Sequence, residues 1–432
     1  MRITQPFCFV GAVTCSALAL SACGNPTDAD NAGGEGEINL VISNHPWQRG
    51  IEPLVSDFEE ETGIEVNVQT FAEQQARDRI QLNLSSHSDA MDVFMTLPSR
   101  EGPLFSNSEY YEPLDGYLEG APGEYEAEDF SDAAFEGMVF DDQVMALPIN
   151  VEGPVLYYRT DVFEELALEP PQTVDELMDA VETIDAEHDD MVPVTLRGAA
   201  AALPFTFGPF LHGNGGSWTV DGEPNFDDPS AVQAIAEYAT LAGDYGPEGV
   251  INYNFTESSN LFAQGEVAME IESSNELNSL IDPSDSTVSE DVGVVPMPAG
   301  TEGSAPTVLS WGLAMSASSS NKEEAWEFMQ WATSPEVQLQ LTEADIAPPR
   351  DAVASHADYL ESLDSPVLEQ WSDAVQDLQE NGNTEVGPVG ENAPAMREVV
   401  GNAIGEAILG EASPEEAAEE IQDGLEPLLD EE

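Results

Sequence analysis

The side chains that could do chemistry here are abundant in one class and scarce in every other. The chain holds 85 acidic residues against 10 basic ones, with five histidines and three cysteines in 432 residues. A glycosidase or lyase needs two positioned carboxylates, and among so many acids no pair stands out by spacing. His45, His87, His188, His212 and His356 show no metal-ligand spacing of the HExxH kind. The glycine-rich run GNGGSW, ending at Trp218, lacks the Lys-Ser/Thr and the following helix start of a phosphate loop. Cys8, Cys15 and Cys23 all lie near the N-terminus, so the chain beyond them has neither a disulfide nor a thiolate nucleophile. These patterns argue for binding rather than catalysis, with no metal and no cofactor.

The formal net charge of −75 sets the partners. Nucleic acid and anionic membrane surfaces repel such a field, so neither is expected to bind it. The acids are spread along the chain rather than gathered in a tail. That distribution suits a salty or alkaline habitat, where salt screens self-repulsion. Length suggests two lobes around sizeable cores.

Residues 1–22 read as a secretory signal: Arg2 is the only early charge, and the apolar run ending at Leu20 is too short to span a bilayer. The boundary LSAC resembles a bacterial lipobox, which implies cleavage before Cys23 and acylation there. Each buried methylene of such a chain contributes about 0.8 kcal/mol to anchoring. Residues 23–36 then read as the lipidated cysteine and an acidic tether.

Folded sequence begins at EINLVISN, whose alternation of Ile38, Leu40 and Ile42 predicts a strand. Ile51, Leu54, Val55 and Phe58 then share a helical face that stops at Gly63. IEVNVQTF, DRIQLNL and MDVFMTL read as strand, helix and strand, giving a β-α-β-α-β opening and a parallel sheet covered by helices. Further on, Thr173 with Glu176, Ser320 with Glu323, and Ser413 with Glu416 read as capping boxes, and Asp228-Pro229 as a helix start. VAMEIE and VGVVPMP return to strand.

The order of these landmarks resembles the extracellular solute-binding proteins of ABC importers, in the carbohydrate-binding group that includes maltose-binding protein. FEEETGIEVNVQ, MALPINVEGPVLYYRTDVFEELALEPPQTVDELMDA, HGNGGSWTVDGEPNFDDPSAVQAIAEYATL, FAQGEVAMEIESS and SWGLAMSASSSNKEEAWEFMQWATSPEVQ carry the likeness, from about residue 37 onward. It implies an α/β, two-lobe periplasmic-binding-protein-like fold of type II with a hinge and an interlobe ligand cleft. Lobe 1 is expected to span 37–148 plus about 293–345, and lobe 2 149–292 plus about 346–432. The resemblance implies a monomeric receptor that hands a sugar, short oligosaccharide or sugar alcohol to the permease subunits of an ABC transporter. It implies an extracytoplasmic protein, tied to the bacterial cell membrane by its lipid anchor.

Sugars offer flat C–H faces and rings of hydroxyls, so their sites need aromatic platforms beside fixed polar groups. On this reading His45 and Trp47 follow the first strand at the cleft rim, Glu73 and Gln74 follow the second, and Arg100 follows the third. Asn150 faces the cleft from the first crossing, and Trp218 offers a second platform. Glu272 accepts from hydroxyls, Trp311 begins a return strand, and Arg350 marks the second hinge. Phe205, Phe207, Phe210, Trp326 and Trp331 read as core. The maltose-binding branch has an aromatic in the loop at Arg100 and another near Asn275; both are missing here, which argues against a long maltodextrin. Two alternatives stay open: a secreted glycosidase or lyase, and a ferric-ion receptor using tyrosines such as Tyr110–Tyr111 or Tyr157–Tyr158. The second pair lies on a strand, where neighbours face opposite ways.

Overall fold

The computed structural model describes residues 36–188, 190–342 and 346–429. The signal segment, Cys23 and the tether up to residue 35 lie outside the described residues. Nine strands build the two principal sheets: β1 (Glu37–Ser43), β2 (Glu65–Phe71), β3 (Val93–Thr96), β4 (Leu147–Pro148), β5 (Pro154–Arg159), β6 (Val192–Thr195), β7 (Val267–Ser273), β8 (Val292–Val295) and β9 (Gly312–Met315).

The first sheet has the order β2-β1-β3-β9-β4. β1 pairs in parallel with β2 and β3, as the alternating apolar pattern predicts, while β9 runs antiparallel to β3 and β4. Its helices follow from local sequence. The helix Val55–Thr62 ends at Gly63, whose φ of 75° is the left-handed conformation that glycine adopts without a Cβ clash. The helix Glu73–Ser85 buries Ala76, Ile80 and Leu84, spaced four apart on one face.

The second sheet has the order β8-β5-β7-β6. It is covered on both faces: Leu156 and Tyr158 of β5 enter one core, Val155 and Tyr157 the other. The long helices Val174–Glu187, Pro229–Asp244 and Pro414–Leu429 start where the sequence predicts. Thr173 Oγ1 accepts from Glu176 N at 3.2 Å, but the expected box closes one residue early, the Glu176 carboxylate accepting from Gln172 N at 2.8 Å; Ser230 N donates to Asp228 Oδ1 at 2.9 Å, and Ser413 and Glu416 satisfy each other's backbone N–H groups. The box expected at Ser320 and Glu323 does not form. That helix runs Lys322–Ala332 with Asn321 at its cap position, because the preceding polar groups turn elsewhere. Ser319 Oγ donates to the buried Asp92 at 2.6 Å and Asn321 Nδ2 donates to it at 3.2 Å.

β8 was expected to open the return to lobe 1; it instead pairs with β5 in the second sheet, and the chain crosses back only between β8 and β9. Three crossings run side by side. Glu152 and Leu309 exchange backbone hydrogen bonds at 2.9 and 2.8 Å, and Val151 N donates to Ala347 O at 3.1 Å. The approach is so close that a Cβ on Gly153 would sit 2.2 Å from Thr307 O, which is why glycine occupies that position. Among the described residues no helix is long and apolar enough to cross a membrane.

Candidate functional site

The loops that leave the C-terminal ends of β1, β2 and β3 converge on one side of the first sheet, where ligands bind in open parallel sheets. With the strand ends and helix starts that they join, they bring Ser43, Asn44 and His45, then Glu73, Gln74 and Arg77, then Leu97, Ser99 and Arg100 to one wall. Facing them across a cavity of about 1010 Å³ are residues from the second sheet and its helices, including Arg197, Phe205, Ser273, Asn275, Glu276 and Arg397. The crossings form the floor, with Glu152, Leu309 and Trp311.

Glu152 organises that floor. Its carboxylate accepts from Trp311 Nε1 at 2.8 Å, from Ser273 Oγ at 2.9 Å and from Asn275 Nδ2. It thereby joins a side chain of the first sheet to two of the second. Burial pushes its pKa up to about 7, although the donors and Arg197 pull the other way. His45 is buried and pushed down to about 3 by that burial, so the ring is neutral at physiological pH. Its Nδ1 accepts from Trp47 N at 3.1 Å, which assigns the proton to Nε2. That N–H has no hydrogen-bond partner among the described residues and lies 4.0 Å from Glu152 Oε2. Asn275 Oδ1 is likewise buried without a partner. A donor and an acceptor thus stand ready beside the Trp311 indole, one face of which carries the Arg77 guanidinium at 5.1 Å from the ring centroid.

Arg77 pairs with Glu73 at 2.9 Å and also with Glu101. Burial disfavours the charged form of Glu73, yet Arg77, Arg197 and Arg100 together hold it below the usual carboxylate range. Arg197 grips Glu272 through Nε at 2.8 and 3.0 Å and through Nη2, and its guanidinium lies 4.1 Å from the Phe205 ring centroid. Glu276 is pushed up to about 7 by burial and then by Glu272.

Five residues expected from the sequence therefore line the cavity: His45, Glu73, Gln74, Arg100 and Trp311. Two stand behind the lining. Glu272 is fully buried and holds Arg197; Asn150 is fully buried and accepts from Trp311 N through Oδ1 at 3.0 Å. Three belong elsewhere. Trp47 directly follows the Pro46 helix start and turns inward onto the first core with Ile51 and Phe58. Trp218 donates to Glu385 O at 2.8 Å and packs against Phe207, His212 and Phe226. Arg350 is fully buried, donates to Thr333 O and Glu126 O at 2.8 Å each, and covers the rings of Phe130 and Tyr125.

The sequence reading missed Arg77, Glu152, Arg197, Asn275, Glu276 and Arg397, and it took Phe205 for core alone. A usable signal existed: five of the chain's ten basic residues (Arg49, Arg77, Arg100, Arg197 and Arg397) line this one cavity. Tyr157 and Tyr158 face opposite cores, and Tyr111 is buried against Thr96. Among the described residues no group of three or more His, Cys, Asp or Glu is placed to hold a metal.

Comparison with known proteins agrees with this geometry. The family profile described as bacterial extracellular solute-binding protein matches residues 44–339. The erythritol/L-threitol-binding protein of Mycolicibacterium smegmatis is 25% identical over 370 residues, covering 78% of this chain and 77% of that protein. The mannitol-binding protein of Pseudomonas aeruginosa is 26% identical over 333 residues, covering 75% and 72%. An ABC transporter solute-binding protein from Agrobacterium radiobacter, solved in complex with ribitol, superposes with a TM-score of 0.80 at 22% identity, covering 91% of this chain and 98% of that one.

Proposed function

This chain belongs to the bacterial extracellular solute-binding proteins, and from that premise we propose that it is the extracytoplasmic receptor of an ABC importer for a sugar, short oligosaccharide or sugar alcohol. The observation that carries the reading is the floor of the cleft. Trp311 and Glu152 lie on the crossings, with the unpartnered N–H of His45 and carbonyl of Asn275 beside them. An indole face with fixed donors and acceptors around it suits the C–H faces and hydroxyls of a carbohydrate. The relatives named for erythritol, threitol and mannitol support a small polyol or sugar over a long chain.

The ligand closes the two lobes about the three crossings, and the closed form docks on the permease. Asn150, held between the crossings, positions Trp311. Residues 1–22 direct export, acylated Cys23 anchors the chain, and the acidic tether leaves the receptor room to reach its permease. The protein performs no chemistry of its own, and its acidic surface suits a saline medium.

A thermal-shift screen in molar salt tests this, with monosaccharides, disaccharides, polyols, amino acids and ferric iron as probes. A ligand of the folded state at a hundredfold excess over Kd adds about 2.7 kcal/mol of stability. The expected result is a raised Tm with one sugar or polyol class. A shift with ferric iron or an amino acid, and silence from every carbohydrate, would overturn the carbohydrate assignment.

A further inference from the structure

We propose that the ligand of this cleft is anionic: a sugar acid whose carboxylate is clasped between Arg100 of the first lobe and Arg397 of the second. The proposal rests on the reading of the cleft as a carbohydrate site.

Exposed arginines such as Arg49, on the rim of this cavity, and Arg79 have no carboxylate within 4 Å among the described residues and are served by water, but an arginine withdrawn from water without one is the exception. Arg77 and Arg197, on the same cavity, each have theirs. Arg100 and Arg397 have none within 4 Å among the described residues. Burying a guanidinium without a counter-charge is costly, and proteins ordinarily answer it with a paired carboxylate. Here the fold holds the cation in place without supplying one. Arg397 is 8% exposed. Its Nε donates to Ala201 O at 3.0 Å and its Nη1 to Val386 O at 3.2 Å, while Nη2 has no acceptor among the described residues. The backbone is shaped to receive it, since a Cβ on Gly387 would lie 2.3 Å from Arg397 Nη1. Both backbone carbonyls fix the guanidinium plane and leave one edge for the cavity.

Arg100 stands in the first turn of the helix Pro98–Asn107, where its backbone N–H donates to Leu97 O at 2.9 Å and so fixes the residue at the cavity wall. Burial, and after it the neighbouring Arg77, depresses Arg100 to about 10; burial followed by Arg100, Arg77 and Arg197 depresses Arg397 to about 9. Both side chains line the one cavity, Arg100 from the first lobe and Arg397 from the second. The nearby acids relieve them only in part: Glu73 acts on both cations and Glu398 on Arg100, each ranking after burial and a neighbouring arginine. Glu73 is paired with Arg77, Glu152 and Glu276 are raised to about 7 and so carry only part of a charge near neutral pH, and Asp282 and Asp285 are exposed at the rim. A carboxylate, which accepts two parallel N–H bonds from a guanidinium, supplies the missing charge and draws the lobes together. A phosphate offers related chemistry, so the probes must separate the two.

The test is calorimetric titration of the purified protein with matched probes: D-glucitol against D-gluconate, D-glucose against D-glucuronate, and D-glucose 6-phosphate. The expected result is that a carboxylate probe binds at least about tenfold more tightly than its neutral counterpart, the size of a charge-assisted hydrogen bond. Arg100→Gln, at a side chain that donates to no other described residue, should bring the pair to near parity. Arg397→Lys keeps the charge but not the fork and should weaken the carboxylate selectively; it serves where Arg397→Gln fails to fold. Equal binding of the neutral and carboxylate probes, unchanged in Arg100→Gln, would overturn the proposal and leave the carbohydrate receptor standing. Preference for the phosphate would overturn the carboxylate assignment. No binding by any carbohydrate, neutral or charged, would sink this proposal and the reading beneath it together.

Discussion

Two buried arginine sites in this molecule look alike until their surroundings are compared. Around Arg350 every ligand is protein: two carbonyls at 2.8 Å, Asp129 at 3.7 Å, and the rings of Phe130 and Tyr125 on its faces. Around Arg197 the protein supplies one buried carboxylate, Glu272, and the rings of Phe205 and Phe255, while the remaining side opens on the cavity. The first site ties the third crossing to the first lobe. The second presents a fixed cation to whatever enters the cleft. Burial and charge therefore do not mark a binding residue; the direction left open does.

The largest expected effect breaks the Arg350 site. Arg350→Ala strands the two carbonyls and empties the space over two rings, so stability should fall by about 3–5 kcal/mol in urea denaturation. Ligand affinity of the remaining folded protein should be nearly unchanged. Glu272→Gln should lower stability by about 3 kcal/mol, because it leaves Arg197 without its counter-charge, and here affinity should fall as well. Equal affinity losses in the two variants would erase the distinction. Trp311→Ala removes the floor of the cleft and should weaken ligand binding by about 2 kcal/mol, roughly thirtyfold, by calorimetry.

The most gradual effect concerns pH. The Glu152 carboxyl, raised from 4.5 to about 7 on folding, binds a proton more tightly in the native than in the unfolded state. Stability from it is complete below about pH 4.5 and is lost as pH rises to about 7. The stability of the wild type relative to Glu152→Gln should fall across that window by on the order of 1 kcal/mol per pH unit. His45, lowered from 6.5 to about 3, acts in the opposite sense, losing stability as pH falls through that range. Chemical denaturation of wild type and variant at several pH values checks the difference.

Much of this was legible in the sequence. The alternation in β1 to β3 and the glycine stop at Gly63 placed three parallel strands, and residues just past those strands had to reach the cleft. That logic located His45, Glu73, Gln74 and Arg100. It failed where one residue of register decides the direction of a side chain, as at Trp47 beside the Pro46 helix start. It failed for Trp218 and Arg350, whose partners Glu385, Thr333 and Glu126 are remote in sequence or lack any chemical signature. It could not see the Arg197–Glu272 pair, separated by 75 positions, nor that Arg397 would reach the cavity from a late helix. The β8 strand misled because its apolar run fits either sheet.

The central claim is that the cleft around Trp311 is where ligand binds, and tryptophan fluorescence reads it directly. The chain has six tryptophans, and of these Trp311 is the one that lines the cavity. Titration with the carbohydrate that raises Tm should change emission in the wild type and in Trp218→Phe, and the change should vanish in Trp311→Phe. A change that persists in Trp311→Phe and disappears in Trp218→Phe would place the ligand elsewhere and contradict the account.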